Sequence, residues 1–116
     1  MNNFRELIVW QRSINLVVKI YEITKEFPKE EKFNLVSQMQ RAATSIPSNI
    51  AEGAGRNTNN FFKHFLTIAI GSSHELETQI IISKQLGYIN EDDCGMILTE
   101  LNSIQKMLYA LHNSLQ

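Results

Sequence analysis

His64, His74 and His112 are the only imidazoles of this 116-residue chain, and Cys94 is its only thiol. A zinc or di-iron centre needs three or four such ligands facing one point, in helical spacings such as HExxH or ExxH. Neither spacing occurs, and His64 and His74 stand ten residues apart, nearly three helical turns. No metal or other cofactor is expected, and the histidines read as surface or rim residues. Glu75 and Glu77, two apart on a helix, point to different sides and make a poor general acid and base pair. No serine lies in a GxSxG elbow, and nothing in the pattern supplies a base to activate one.

The stretch "SIPSNIAEGAGR" at 45–56 could be a phosphate-cradling loop. A dinucleotide fingerprint would need a third glycine where Thr58 stands and a strand in front, and a Gly-Lys-Ser/Thr loop occurs nowhere. Asn49 and Glu52, one turn apart, with Arg56 one turn further on, read instead as a structural polar network at a helix end. Glu52 opposes the macrodipole there and calls for a partner in Arg56, Arg41 or the first amides of the next helix. The chain reads as a non-enzyme without a small-molecule substrate.

Apolar periodicity dictates the elements that would carry these residues. From Phe4 to Glu26, Leu7, Trp10, Ile14, Val17, Val18 and Tyr21 follow steps of three and four, the stripe of a core-facing helix. A second row, Val9, Leu16, Ile20 and Ile23, widens the apolar arc beyond one seam and is expected to pack against another copy of the chain, the alternative being that this helix sits deeply between two neighbours of the same chain. Phe27-Pro28 ends this helix. The next is expected over 29–53, with Glu30 and Glu31 in its first turn and Leu35, Met39, Ala42, Ala43, Ile46 and Ile50 holding one phase through Pro47, a kink within the helix. Gly53 is expected as a left-handed stop.

Asn57 or Thr58 caps a third helix over 58–86, whose centre "AIGSS" suits close approach by a neighbour at Gly71. A mid-helix glycine otherwise costs about 1 kcal/mol relative to alanine. Gly87 closes it, and Asn90 caps a fourth helix over 91–114, with Ile89 and Cys94 spaced as a hydrophobic staple. Nothing alternates with period two. Four helices of about 35–45 Å with short links form one domain over 1–116, an all-α, antiparallel up-and-down four-helix bundle.

The net charge is −1, so no global field draws the chain to nucleic acid. Residues 1–65 nevertheless carry nine basic against six acidic side chains, and 66–116 two against six. Arg12, Lys19, Arg41, Arg56 and Lys63 are the candidate nucleic-acid contacts. A lone cysteine fits a reducing compartment, and with no leader pattern or membrane-length apolar run the chain reads as cytoplasmic.

Phe27-Pro28, Gln38 with Arg41-Ala42-Ala43, Ser45-Ile46, Asn49-Ile50-Ala51-Glu52-Gly53 with Gly55-Arg56, and Gly71-Ser72 with Glu75-Leu76 together resemble the proteins named for intervening sequences in bacterial 23S ribosomal RNA genes. The resemblance covers about residues 4 to 112. It implies an up-and-down bundle assembling as a homopentamer, without an established enzymatic activity. The same fold is similar to that of the accessory protein of diversity-generating retroelements, which binds nucleic acid through a markedly basic surface. Two functions are therefore expected as rivals: a homo-oligomer that binds RNA or a ribonucleoprotein through basic positions on helices 1 to 3, and a scaffold docking a protein partner through exposed apolar surface.

Overall fold

The computed structural model describes residues 3–115. Four α-helices follow one another: α1 (Ile8–Thr24), α2 (Leu35–Ala54), α3 (Asn59–Gln85) and α4 (Glu91–Ser114), with single 3₁₀ turns at Phe4–Glu6 and Lys29–Glu31. There is no strand among the described residues. Each helix packs on its neighbours in sequence, and α1 closes the square on α4. Short links leave only the antiparallel up-and-down arrangement, about 43 Å long. None of the helices is long and apolar enough to cross a membrane.

Local chemistry sets most of the ends. Thr58 Oγ1 accepts from the Phe61 amide (3.3 Å) and Asn90 Oδ1 from the Asp93 amide (2.8 Å), satisfying first-turn donors of α3 and α4. Gly87, at φ +81°, supplies the left-handed residue after α3. Ile89 and Cys94 are both buried across the start of α4.

The second helix begins later than expected. Lys29–Glu31 forms one 3₁₀ turn, and Asn34, at φ −126° and ψ −102°, separates it from α2. Glu31 does the work of a cap from outside: its carboxylate accepts from the Asn34 side chain (3.2 Å), from the Leu35 amide (3.5 Å) and from the Tyr88 hydroxyl (2.9 Å). That last bond holds the Tyr88 phenol above its usual pKa. Pro47 lies inside α2, as the uninterrupted apolar phase requires.

Gly53 is not a left-handed stop. The helix runs through it to Ala54, and Gly55 caps the end at φ −81°. Space is what Gly53 provides: a Cβ there would lie 2.9 Å from both Phe62 Cδ1 and Phe65 Cβ. Together with Ala42, Ala43 and Ala69, all buried, it lets α2 and α3 form the closest pair of the bundle.

The row of α1 expected to meet another copy lies in the chain's own core, while the row expected inside is only half-buried at Leu7, Trp10, Ile14 and Val17. Val9, Leu16 and Ile20 are 5, 2 and 0 % exposed and belong to the chain's own core, with Ile23 half-buried beside it. Val18 and Tyr21, from the row expected inside, are 53 and 43 % exposed. A corner helix of a square bundle faces two neighbours, so its buried arc centres between them, on Val9, Ser13, Leu16, Ile20 and Thr24. Polar Ser13 and Thr24 fit because their hydroxyls donate to the Trp10 carbonyl (2.7 Å) and the Ile20 carbonyl (2.8 Å) of the same helix.

Candidate functional site

Two opposite seams of the bundle carry grooves of contrasting chemistry. Between α2 and α3 lies a polar groove of about 520 Å³, lined by Gln38, Arg41, Ala42, Ser45, Ser72 and Glu75. Its wall is tied by a 2.8 Å hydrogen bond between the Ser45 and Ser72 hydroxyls, and Asn49 Nδ2 donates to the Ser45 carbonyl (2.8 Å) and hydroxyl (2.9 Å). The expected Asn49, Glu52 and Arg56 network thus divides. Asn49 serves the Ser45–Ser72 bridge, while Glu52 Oε2 accepts from Arg56 Nη2 at 2.7 Å on the surface.

Alongside that groove α3 presents Phe61, Ile68 and Ile82, with Leu86 at its C-cap, between 38 and 54 % exposed. Steps of seven, fourteen and four residues put them on one side of the helix. Gly71 lies within this row, and beyond its own stretch of helix backbone no atom among the described residues comes within 4 Å of the Cβ it lacks. The close neighbour expected at Gly71 is not found among the described residues.

The second groove, of about 890 Å³, separates α1 from α4, the most loosely packed seam. Leu16 and Ile97 form its floor, exposed Val18 and Met96 its walls, and Glu22 and Asp92 stand on its rim with Lys19. Gly95 contributes no side chain, which keeps the bed open. Sequence reading missed this site; its signal was "EDDCGM" at 91–96, where a glycine and a methionine follow an acidic helix start.

The five basic candidates are not brought to one surface. Arg12 is spent within the fold: Nε and Nη2 donate to the two oxygens of Glu100 at 3.0 and 2.7 Å, tying α1 to α4. Lys19 lines the acidic α1/α4 groove. Arg41 is exposed in the opposite groove, and among the described residues no carboxylate lies within 4 Å of it. Arg56 lies 5.8 Å from the Phe61 ring centroid and 5.1 Å from that of Phe65, and Lys63 is half-buried near the same corner.

The fork of hydrogen bonds from Arg12 holds the Glu100 carboxyl below the usual range; partial burial opposes this and the Arg12 charge adds to it. A depressed folded-state pKa contributes stability that is fully present above the unfolded value of about 4.3 and is lost as pH falls through the folded value. Glu100→Gln should therefore lower the urea midpoint at neutral pH, with the gap to wild type closing as the pH is taken down through the carboxylate range. A gap independent of pH would mean that the ion pair contributes nothing.

One further cluster joins α3 to α4, with His74 Nδ1 at 3.8 Å from Glu77 Oε1 and 3.5 Å from Gln105 Nε2. His74 Nε2 meets the Tyr109 hydroxyl (3.2 Å), and Glu77 Oε1 accepts from Gln105 Nε2 (2.9 Å). Among the described residues no three of His, Cys, Asp and Glu gather as a metal site. Gln79 Oε1, buried on α3, has no hydrogen-bond partner.

Comparison with known proteins accords with this architecture. No curated protein matches the chain. A crystal structure of a protein with unknown function from the S23 ribosomal protein family of Bacteroides thetaiotaomicron superposes with a TM-score of 0.85 at 26 % identity, over 91 % of this chain and 96 % of that one. The family model described as 23S rRNA-intervening sequence protein matches residues 5–110, which span α1 to α3 and all but the last turn of α4. With nearly its whole length matched, the chain belongs to the 23S rRNA-intervening sequence protein family.

Proposed function

We propose that this chain is a non-catalytic, self-associating bundle that joins copies of itself through the α2/α3 face. The observation that carries the reading is the row Phe61, Ile68, Ile82 and Leu86, exposed on one side of α3 with open space at Gly71 between them. Apolar side chains aligned along a helix gain by being covered, and a glycine in their midst lets a second backbone come close. Arg41 and Glu75 in the adjoining groove supply polar groups of both signs for register. The family resemblance implies five copies. In such a ring the α3 row of one copy meets a different face of the next, since only an unlike pair of surfaces closes a ring of five.

A second reading, contact with RNA or a ribonucleoprotein, has one specific observation in its favour: the Arg56 guanidinium over Phe61 and Phe65, on the same helix pair as Arg41 and Lys63. Basic groups beside aromatic faces suit phosphates and unstacked bases. Arg12 and Lys19 are not part of it, being committed to the α1/α4 seam.

One measurement on purified protein addresses both: mass by light scattering together with the ratio of absorbance at the nucleic-acid and protein maxima. Wild type is expected as an oligomer, and Ile68→Asp or Ile82→Asp as a smaller species with unchanged helicity. A monomeric wild type at micromolar concentration, or variants of unchanged mass, would reject the α3 interface. Co-purifying nucleic acid that is lost in Arg41→Ala and Arg56→Ala would establish the second reading.

A further inference from the structure

The α1/α4 groove lies on the seam opposite the proposed self-association face, and none of the described residues covers it. Its bed is apolar: Leu16 and Ile97 are each 2 % exposed at the bottom, while Val18 and Met96 stand 53 and 58 % exposed on the two walls. Around this bed the charge is nearly all of one sign. Glu22 and Asp92 line the groove, and Glu26 and Asp93 continue the line into an adjoining recess of about 320 Å³ that also borders Lys19 and Glu22. None of these four carboxylates has a basic partner within 4 Å among the described residues, whereas Glu91 and Glu100 are paired with Lys84 and Arg12. Lys19 is the single cation of both recesses.

We infer that this groove docks a basic amphipathic helix of a protein partner. An apolar channel between two helices accepts a third helix by its i, i+3/i+4, i+7 face, and the absent side chain at Gly95 lets that helix lie deep. From Glu91 to Glu100 α4 offers roughly 14 Å of bed, about two and a half turns of a docked helix, and the recess at the α4 start extends it. The rim selects the partner's flanks: Lys or Arg beside the apolar stripe would meet Glu22, Glu26, Asp92 and Asp93. The same rim disfavours nucleic acid, because unpaired carboxylates repel phosphates. The C-terminal half of a second copy is a poor occupant, since residues 66–116, which supply most of α3 and all of α4, hold only two basic side chains.

The test uses the full chain and a fluorescein-labelled peptide of about four helical turns carrying Leu on one face and Lys on its flanks. Two control peptides replace Lys by Glu or Leu by Ser, and binding is read by fluorescence anisotropy. The Leu/Lys peptide is expected to bind, more weakly as salt is raised from about 50 to 200 mM, with both controls weaker by about tenfold or more. Met96→Lys and Glu22→Lys, both on exposed positions, should each reduce binding by a similar factor. Gly95→Gln, whose Cβ meets no other atom within 4 Å and whose longer side chain enters the bed, should do the same if either charge variant folds poorly. Ile68→Lys on α3 should leave the affinity unchanged even where it alters the mass, which separates failure of this inference from failure of the self-association reading. Equal binding of the Glu peptide, or indifference to Met96→Lys and Gly95→Gln, would overturn the inference. So would a fall in oligomer mass in those groove variants, which would make a second copy the occupant.

Discussion

Replacing Ile20 by alanine is expected to remove about 2–5 kcal/mol of unfolding free energy while leaving the oligomer mass unchanged. Ile20 is fully buried on the inner face of α1, among the fully buried side chains that include Met39, Leu101 and Ile104. Truncating it loses the transfer energy of the removed carbons and leaves a cavity that the rigid square of helices can fill only in part. Set against a usual total of about 5–15 kcal/mol for a domain, that loss is large enough to see as a shifted urea or thermal midpoint. The opposite pattern, a small stability change with a drop in mass, is what a subunit-contact role for Val9, Leu16 and Ile20 would produce. The same comparison on Val18, exposed on the other row, should give a change of only a few tenths of a kcal/mol.

Gly53→Leu should be comparably damaging for a different reason. A Cβ alone would stand 2.9 Å from Phe65 Cβ, a position fixed by the α3 backbone, and 3.3 Å from the Phe62 carbonyl oxygen. Neither neighbour is the free end of a flexible side chain. The helices must separate at their tightest crossing, at a cost of about 1–3 kcal/mol or more. Alanine at Gly53 sets two effects against each other, because about 1 kcal/mol of helix propensity is gained while the same clash is introduced; the clash should prevail. Gly95→Ala provides the control, since open space there leaves only the propensity gain and its midpoint should rise. If Gly53→Leu melts with wild type, close packing of α2 on α3 is not what holds the corner together.

The bundle was legible because its signals are local and redundant. The phase from Leu35 to Ile50 carried α2 through Pro47, and Thr58, Gly87 and Asn90 marked ends by side-chain hydrogen bonding or backbone handedness. What failed was non-local. Which of two apolar rows on α1 faces inward depends on where α2 and α4 sit, and a one-dimensional pattern does not contain that angle. Gly53 was misread for a related reason: a glycine near a helix end suits a left-handed residue or a close approach equally well, and only the position of Phe62 and Phe65 separates them. The start of α2 slipped because Glu31 caps from outside the helix while also receiving Tyr88, a residue 57 positions away.

The candidate surfaces were harder still. Lysines and arginines were found as letters, but their availability is set by partners distant in sequence, as when Glu100 engages Arg12 from the far end of the chain. Grooves are spaces between helices, and the α1/α4 groove depends on a missing side chain at Gly95 as much as on the residues present.

The order of the helices around the square also bears on how the chain reaches this state. Three of the four seams join consecutive helices through short links and can zip from nearby residues, which favours rapid folding. The α1–α4 seam alone must bring the two ends of the chain together, and it is also the least tightly packed. Its closure carries the greatest loop entropy for the least burial, so hydrogen exchange is expected to show this seam opening at the lowest free energy.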